Sequence, residues 1–69
     1  MFNDRELRAQ MVRKGVTFKD LSAHLGINEA TLYRKCKADG AFTRQEINSI
    51  IDYLEIENPM EIFFAEELT

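Results

Sequence analysis

No disulfide can brace this chain from within, because Cys36 is its only cysteine. A structural zinc site is excluded as well. It takes about four Cys or His ligands, and the chain offers one of each, Cys36 and His24. One proline and three glycines leave no Pro/Gly-rich linker, and there is no repeat or low-complexity segment. No stretch approaches the roughly 20 apolar residues of a membrane-spanning helix. The opening MFNDRELRAQ is charged from Asp4 onward and has no apolar signal-peptide core. Beyond Arg44 there is no lysine or arginine at all.

What remains is a single small domain, residues 1–69. A chain of this size buries only about 60% of its unfolded surface. Without staples it relies on tight helix packing, on an oligomer, or on both. At 45% hydrophobic and 30% charged residues it reads as globular rather than disordered. The unpaired thiol suits a reducing compartment, so a cytoplasmic location is expected.

The net charge of −3 hides an asymmetry. Residues 1–44 carry nine basic and five acidic side chains, net +4; residues 45–69 carry seven acidic and no basic ones, net −7. Such a split fits a polyanion-binding face backed by an acidic one.

Apolar residues recur at helical spacing throughout, and five helix starts are legible from side chains able to satisfy first-turn N–H groups. Asn3-x-x-Glu6 opens the first helix, with Leu7, Met11 and Val12 apolar. Thr17-x-x-Asp20 opens the second, with Leu21 and Leu25 one turn apart. Asn28 opens the third, with Leu32 and Cys36 facing inward. Thr43-x-x-Glu46 opens the fourth, with Ile47, Ile50, Ile51 and Leu54 on one stripe. Asn58-Pro59 opens the fifth, with proline at the first helical position. Gly15, Gly26 and Gly40 fall where helices stop. The expected fold is an all-α, compact five-helix bundle.

The second and third helices are separated only by Gly26-Ile27 and the capping Asn28, as in a helix-turn-helix unit spanning about 17–38. Ser22 is small enough for close helix approach. If Leu32 and Cys36 point inward, Ala30, Tyr33, Arg34 and Lys37 point outward. A helix with that outer face, supported by a second helix, can enter the major groove of B-DNA.

The segment GVTFKDLSAHLGINEATLYRK resembles the helix-turn-helix core of lambda-repressor/Cro-like (XRE-type) regulators. FTRQEINSIIDYLEIENPMEIFF resembles the last two helices of small phage or prophage repressors. The resemblance covers essentially the whole chain. It implies a transcription regulator, a repressor, bound to double-stranded DNA as a homodimer, with no cofactor and no metal. It places Asn28, Glu29, Ala30, Tyr33 and Arg34 against base edges. Arg34 suits guanine, Glu29 suits cytosine N4 and Ala30 a thymine methyl. Thr17, Phe18, Lys19, Lys37 and Arg44 would meet phosphates. Two positions depart from the family pattern. Phe18 stands where glutamine is usual and offers phosphate only its backbone N–H. Lys35 stands where an aliphatic residue is usual, and could snorkel outward to phosphate.

For the homodimer, Ile62, Phe63 and Phe64 are the expected interface, since one helix cannot bury three consecutive side chains on one stripe and Phe63 or Phe64 should face outward. His24 reads as a surface residue and Cys36 as a small buried hydrophobe. The C-terminal acids read as a solvated face. No nucleophile–base set, phosphate loop or paired-carboxylate cleft is present, so the chain is expected not to be an enzyme. The competing function is a repressor-like protein-interaction module, of antirepressor or antitoxin type, with little DNA binding.

Overall fold

The first four helices of this chain are each started by a side chain close in sequence. In the computed structural model, which describes residues 2–64, α1 spans Asp4–Lys14, α2 Phe18–Leu25, α3 Glu29–Lys37, α4 Arg44–Leu54 and α5 Met60–Phe63. No strand occurs among the described residues. Asn3 accepts from the Glu6 N–H and Asn28 from the Thr31 N–H, the latter at 2.7 Å. Thr17/Asp20 and Thr43/Glu46 are complete capping boxes, each hydroxyl and carboxylate accepting from the other's backbone N–H. The fifth start differs from the sequence expectation. Pro59 itself occupies the cap position of α5, which has no side-chain cap. The Asn58 amide instead donates to Glu61.

The residue before each side-chain cap is apolar, and so is the fourth helical residue after it: Phe2/Leu7, Val16/Leu21, Ile27/Leu32 and Phe42/Ile47. All eight belong to the core or pack against it. This is the hydrophobic-staple pattern, which sets the angle at which the chain enters a helix. It works here with glycine. Gly15 and Gly26, at φ 67° and 73°, end α1 and α2 in the left-handed conformation. The next residues, Val16 and Ile27, donate back to Met11 and Ser22 carbonyls at 2.9 and 3.0 Å. The two connections Gly15-Val16-Thr17 and Gly26-Ile27-Asn28 therefore share one construction of stop, apolar anchor and cap. The second is the turn of the helix-turn-helix unit.

Three helices stop without glycine at the stop itself, α5 doing so on Phe64. α3 ends at Lys37, and Asp39 and then Gly40 take positive φ. α4 ends on Glu55 at φ 52°, a conformation that costs a residue bearing a Cβ.

α2 packs on α3 and α4, and α1 packs on α4 and α5. Leu7, Leu21, Leu32, Ile50, Leu54 and Ile62 are completely enclosed at the centre. One end is closed by the rings of Phe2, Phe42 and Phe63, with centroids 5.6–6.4 Å apart. Phe2 is fixed by its N–H donating to Asp39, and the Asn3 N–H donates to the Ile62 carbonyl.

Two apolar assignments are corrected. Val12 is 80% exposed rather than part of the α1 stripe; it follows Met11 by 100° around the helix, and Met11 already faces inward. Of Ile62, Phe63 and Phe64, the first two are buried in the chain's own core, so they form no free dimer surface. Phe64, at the end of the short α5, presents its ring outward at 42% exposure.

Candidate nucleic-acid interface

α3 is held from one side and open on the other. Leu32 and Cys36 are buried. Burial pushes the Cys36 thiol up to about 11, and the nearby Asp4 carboxylate adds to that, so the side chain is a neutral core group. Glu29, Ala30, Tyr33, Arg34 and Lys37 are exposed. Arg34 reaches back only to the Thr31 hydroxyl, at 3.5 Å. Lys19, Arg34, Lys37 and Arg44 form no ion pair with the described residues. Asn28 lies exposed at the start of α3, with its carbonyl oxygen committed to the cap.

Phe18 does something that its sequence neighbours do not announce. Its ring lies edge-on to Tyr33 of α3, with centroids 6.4 Å apart and planes at 67°. The Arg8 guanidinium of α1 sits over the Phe18 ring at 4.8 Å, and the Lys37 ammonium sits over Tyr33 at 5.2 Å. Arg8, Phe18, Tyr33 and Lys37 thus form one continuous stack across three helices. Arg8 was not a sequence candidate, since nothing local marks a contact between α1 and the start of α2.

At the N-terminus of α2, Thr17 and Asp20 are engaged with each other. The Thr17 N–H holds the Asp20 carboxyl below the usual carboxylate range. The backbone N–H groups of Phe18 and Lys19 have no hydrogen-bond partner among the described residues. Ser22 is buried, its hydroxyl donating to the Lys19 carbonyl at 2.9 Å, and lets α2 approach its neighbours closely.

Lys35 is the clearest departure from the sequence expectation. It does not extend freely to solvent. Its ammonium donates to Glu46 at 3.0 Å and to the Ala41 carbonyl at 3.5 Å. The two side chains are 22% and 15% exposed. Burial pushes the Glu46 carboxyl up, but the Thr43 N–H and the Lys35 ammonium outweigh it, so the group stays below its ordinary value. Lys35 thereby ties α3 to the start of α4. Arg44 is exposed in the first turn of α4.

His24 stacks on Tyr53 at 4.1 Å with planes 9° apart, both at the surface. Among the described residues no three His, Cys, Asp or Glu side chains cluster as metal ligands, and no helix is long and apolar enough to cross a membrane.

No curated protein and no solved structure matches the chain. Residues 6–66 match the Cro/C1-type HTH DNA-binding domain family. With two helices joined by a glycine turn and an open basic helix behind that turn, the chain belongs to the Cro/C1-type helix-turn-helix family and is a DNA-binding regulator.

Proposed function

We propose that this chain is a sequence-specific repressor that reads the major groove with α3. The observation that carries the reading is the outer face of α3. Tyr33, Arg34 and Lys37 stand exposed there, while the opposite face is locked by fully enclosed Leu32. Arg34 suits bidentate pairing with guanine O6 and N7, and Glu29 and Ala30 suit a cytosine amino group and a thymine methyl. Asn28 keeps its amide donors for a base or phosphate edge. Lys19, Lys37 and Arg44 supply phosphate contacts, with the unpartnered N–H groups of Phe18 and Lys19 beside Thr17 as an anion seat. Lys35 is left out of this set, because its charge is engaged by Glu46. Occupying a site is sufficient for repression, whereas activation requires a further contact surface.

One reading helix covers few base pairs, too little to select one site in a genome. The proposal therefore includes a two-fold dimer with α3 helices about 34 Å apart on a near-palindrome. Exposed Phe64 and Met60 border an apolar groove with Ile47 and Ile51, which suits a self-complementary contact.

Selection of duplexes from a random pool, followed by titration against salt, tests this. An enriched palindrome and a log–log slope of about −0.9 per phosphate contact are expected. No retention at low salt would sink the DNA reading and favour the protein-interaction module.

A further inference from the structure

We infer that Phe18 is a positioning residue that holds Tyr33 as an apolar reader of a thymine methyl group. The inference deepens the proposed major-groove reading and rests on it. Tyr33 is 48% exposed on a face otherwise made of charged and small side chains. A ring left this open ordinarily swings between rotamers. Here it is confined from two directions, by the Phe18 ring at 6.4 Å and by the Lys37 ammonium over its face at 5.2 Å. Phe18 is confined in turn by core packing and by the Arg8 guanidinium. Ordering a side chain before binding removes part of the entropy cost of binding. The Arg8–Phe18–Tyr33–Lys37 stack does this for Tyr33.

The chemistry of the target follows from what the fixed ring presents. Ala30 lies one turn before Tyr33 on the same face, so the two make an apolar strip beside Arg34 and Lys37. Thymine is the base that shows a methyl group in the major groove, and its usual partners there are apolar side chains. Phe18 has no side-chain donor or acceptor, so its link to α3 is packing alone. The half-site is therefore expected to carry a thymine close to the guanine read by Arg34.

The test uses the highest-affinity duplex from random-pool selection, with each thymine replaced singly by deoxyuridine, which lacks only the methyl. Wild type should bind the duplex changed at one position per half-site about fourfold more weakly, the equivalent of one buried methyl group. Tyr33→Ala and Phe18→Leu should bind both duplexes equally, and Phe18→Tyr should keep the preference. A merely structural role for Phe18 lowers affinity for both duplexes alike and leaves their ratio unchanged, which overturns the inference. So does equal wild-type binding at every position, or a preference that survives Tyr33→Ala. In those cases the duplex is still bound, so the DNA reading stands. Failure to enrich any duplex removes both.

Discussion

The Lys35 ammonium and the Glu46 carboxylate meet at 3.0 Å across the loop between α3 and α4. The same Glu46 oxygen also accepts from the Thr43 N–H at 2.8 Å, so one atom serves both the cap of α4 and the anchoring of α3. Lys35→Met should lower stability by about 1 kcal/mol, the upper end for a partly exposed pair. For a domain of this size that is about 4–8 °C in melting temperature. Because Lys35 is occupied within the protein, the salt slope of DNA binding should not change. A slope shallower by about 0.9 would instead assign Lys35 to a phosphate.

Arg34 and Lys37 should separate in DNA binding. Arg34→Ala is expected to lose about 1–3 kcal/mol at the selected site and to relax preference at one base pair. Lys37→Ala should weaken every duplex and reduce the salt slope by about one unit, relaxing preference only at the thymine read by Tyr33. Competition assays with single-base variants measure both. Unchanged preference in Arg34→Ala would rule out its base contact.

Leu32 is fully enclosed between the two helices of the unit. Leu32→Ala should cost about 2–5 kcal/mol. A domain of this length has a total of roughly 3–10 kcal/mol, so thermal melts by circular dichroism should show a large drop or no folded baseline. An unchanged melting temperature would remove Leu32 from the core.

How much of this was legible depends on distance along the chain. The caps at Asn3, Thr17, Asn28 and Thr43 each act on an N–H three residues away, so short motifs reveal them. The inward pair Leu32 and Cys36 follows from helical period. Lys35 finds Glu46 eleven residues on, and Phe2 finds Asp39 thirty-seven residues on. No local pattern encodes those pairings. Glu55 ends α4 in a left-handed turn without the glycine that marks such stops elsewhere. At the interface, the outward set on α3 follows from period alone, whereas the Arg8–Phe18–Tyr33 stack depends on how α1 crosses α2 and α3.

Acid and alkali should weaken the fold by different groups. Asp20 and Glu46 are both held below their ordinary values of 3.8 and 4.5, the first by the Thr17 N–H, the second by the Thr43 N–H and Lys35 against the opposing effect of burial. A carboxyl lowered on folding stabilises fully above its unfolded value, and that stabilisation is lost as pH falls through the folded one. Stability should therefore be level near neutrality and fall below about 4.5, with Glu46→Gln reducing the slope. Cys36 is raised by burial from 9.0 to about 11, so its contribution is full below 9.0 and lost toward 11. Cys36→Ala should flatten that alkaline limb in melts across the pH range. An unchanged limb would place the cause elsewhere.

Phe64 and Met60 offer a direct check on pairing. Phe64→Ser with Met60→Ser should leave the stability within about 0.5 kcal/mol of wild type, as surface changes do. It should abolish cooperative binding to the two half-sites. Sedimentation with and without the selected duplex reads this out. Wild type bound strictly as one copy per site would sink the dimer.

The Asn3 N–H donates to the Ile62 carbonyl, and Phe2 lies between Phe42 and Phe63. The partners are made at opposite times during translation. At about 5–20 residues per second, some 60 residues take roughly 3–12 s. For that interval Phe2 lacks the Phe63 ring and Asn3 the Ile62 carbonyl, with α1 lacking the helix that closes over it. The helix-turn-helix unit is complete well before α5 exists, but the bundle around it is not. Until synthesis reaches Phe63, the contacts that close the bundle over α1 cannot form.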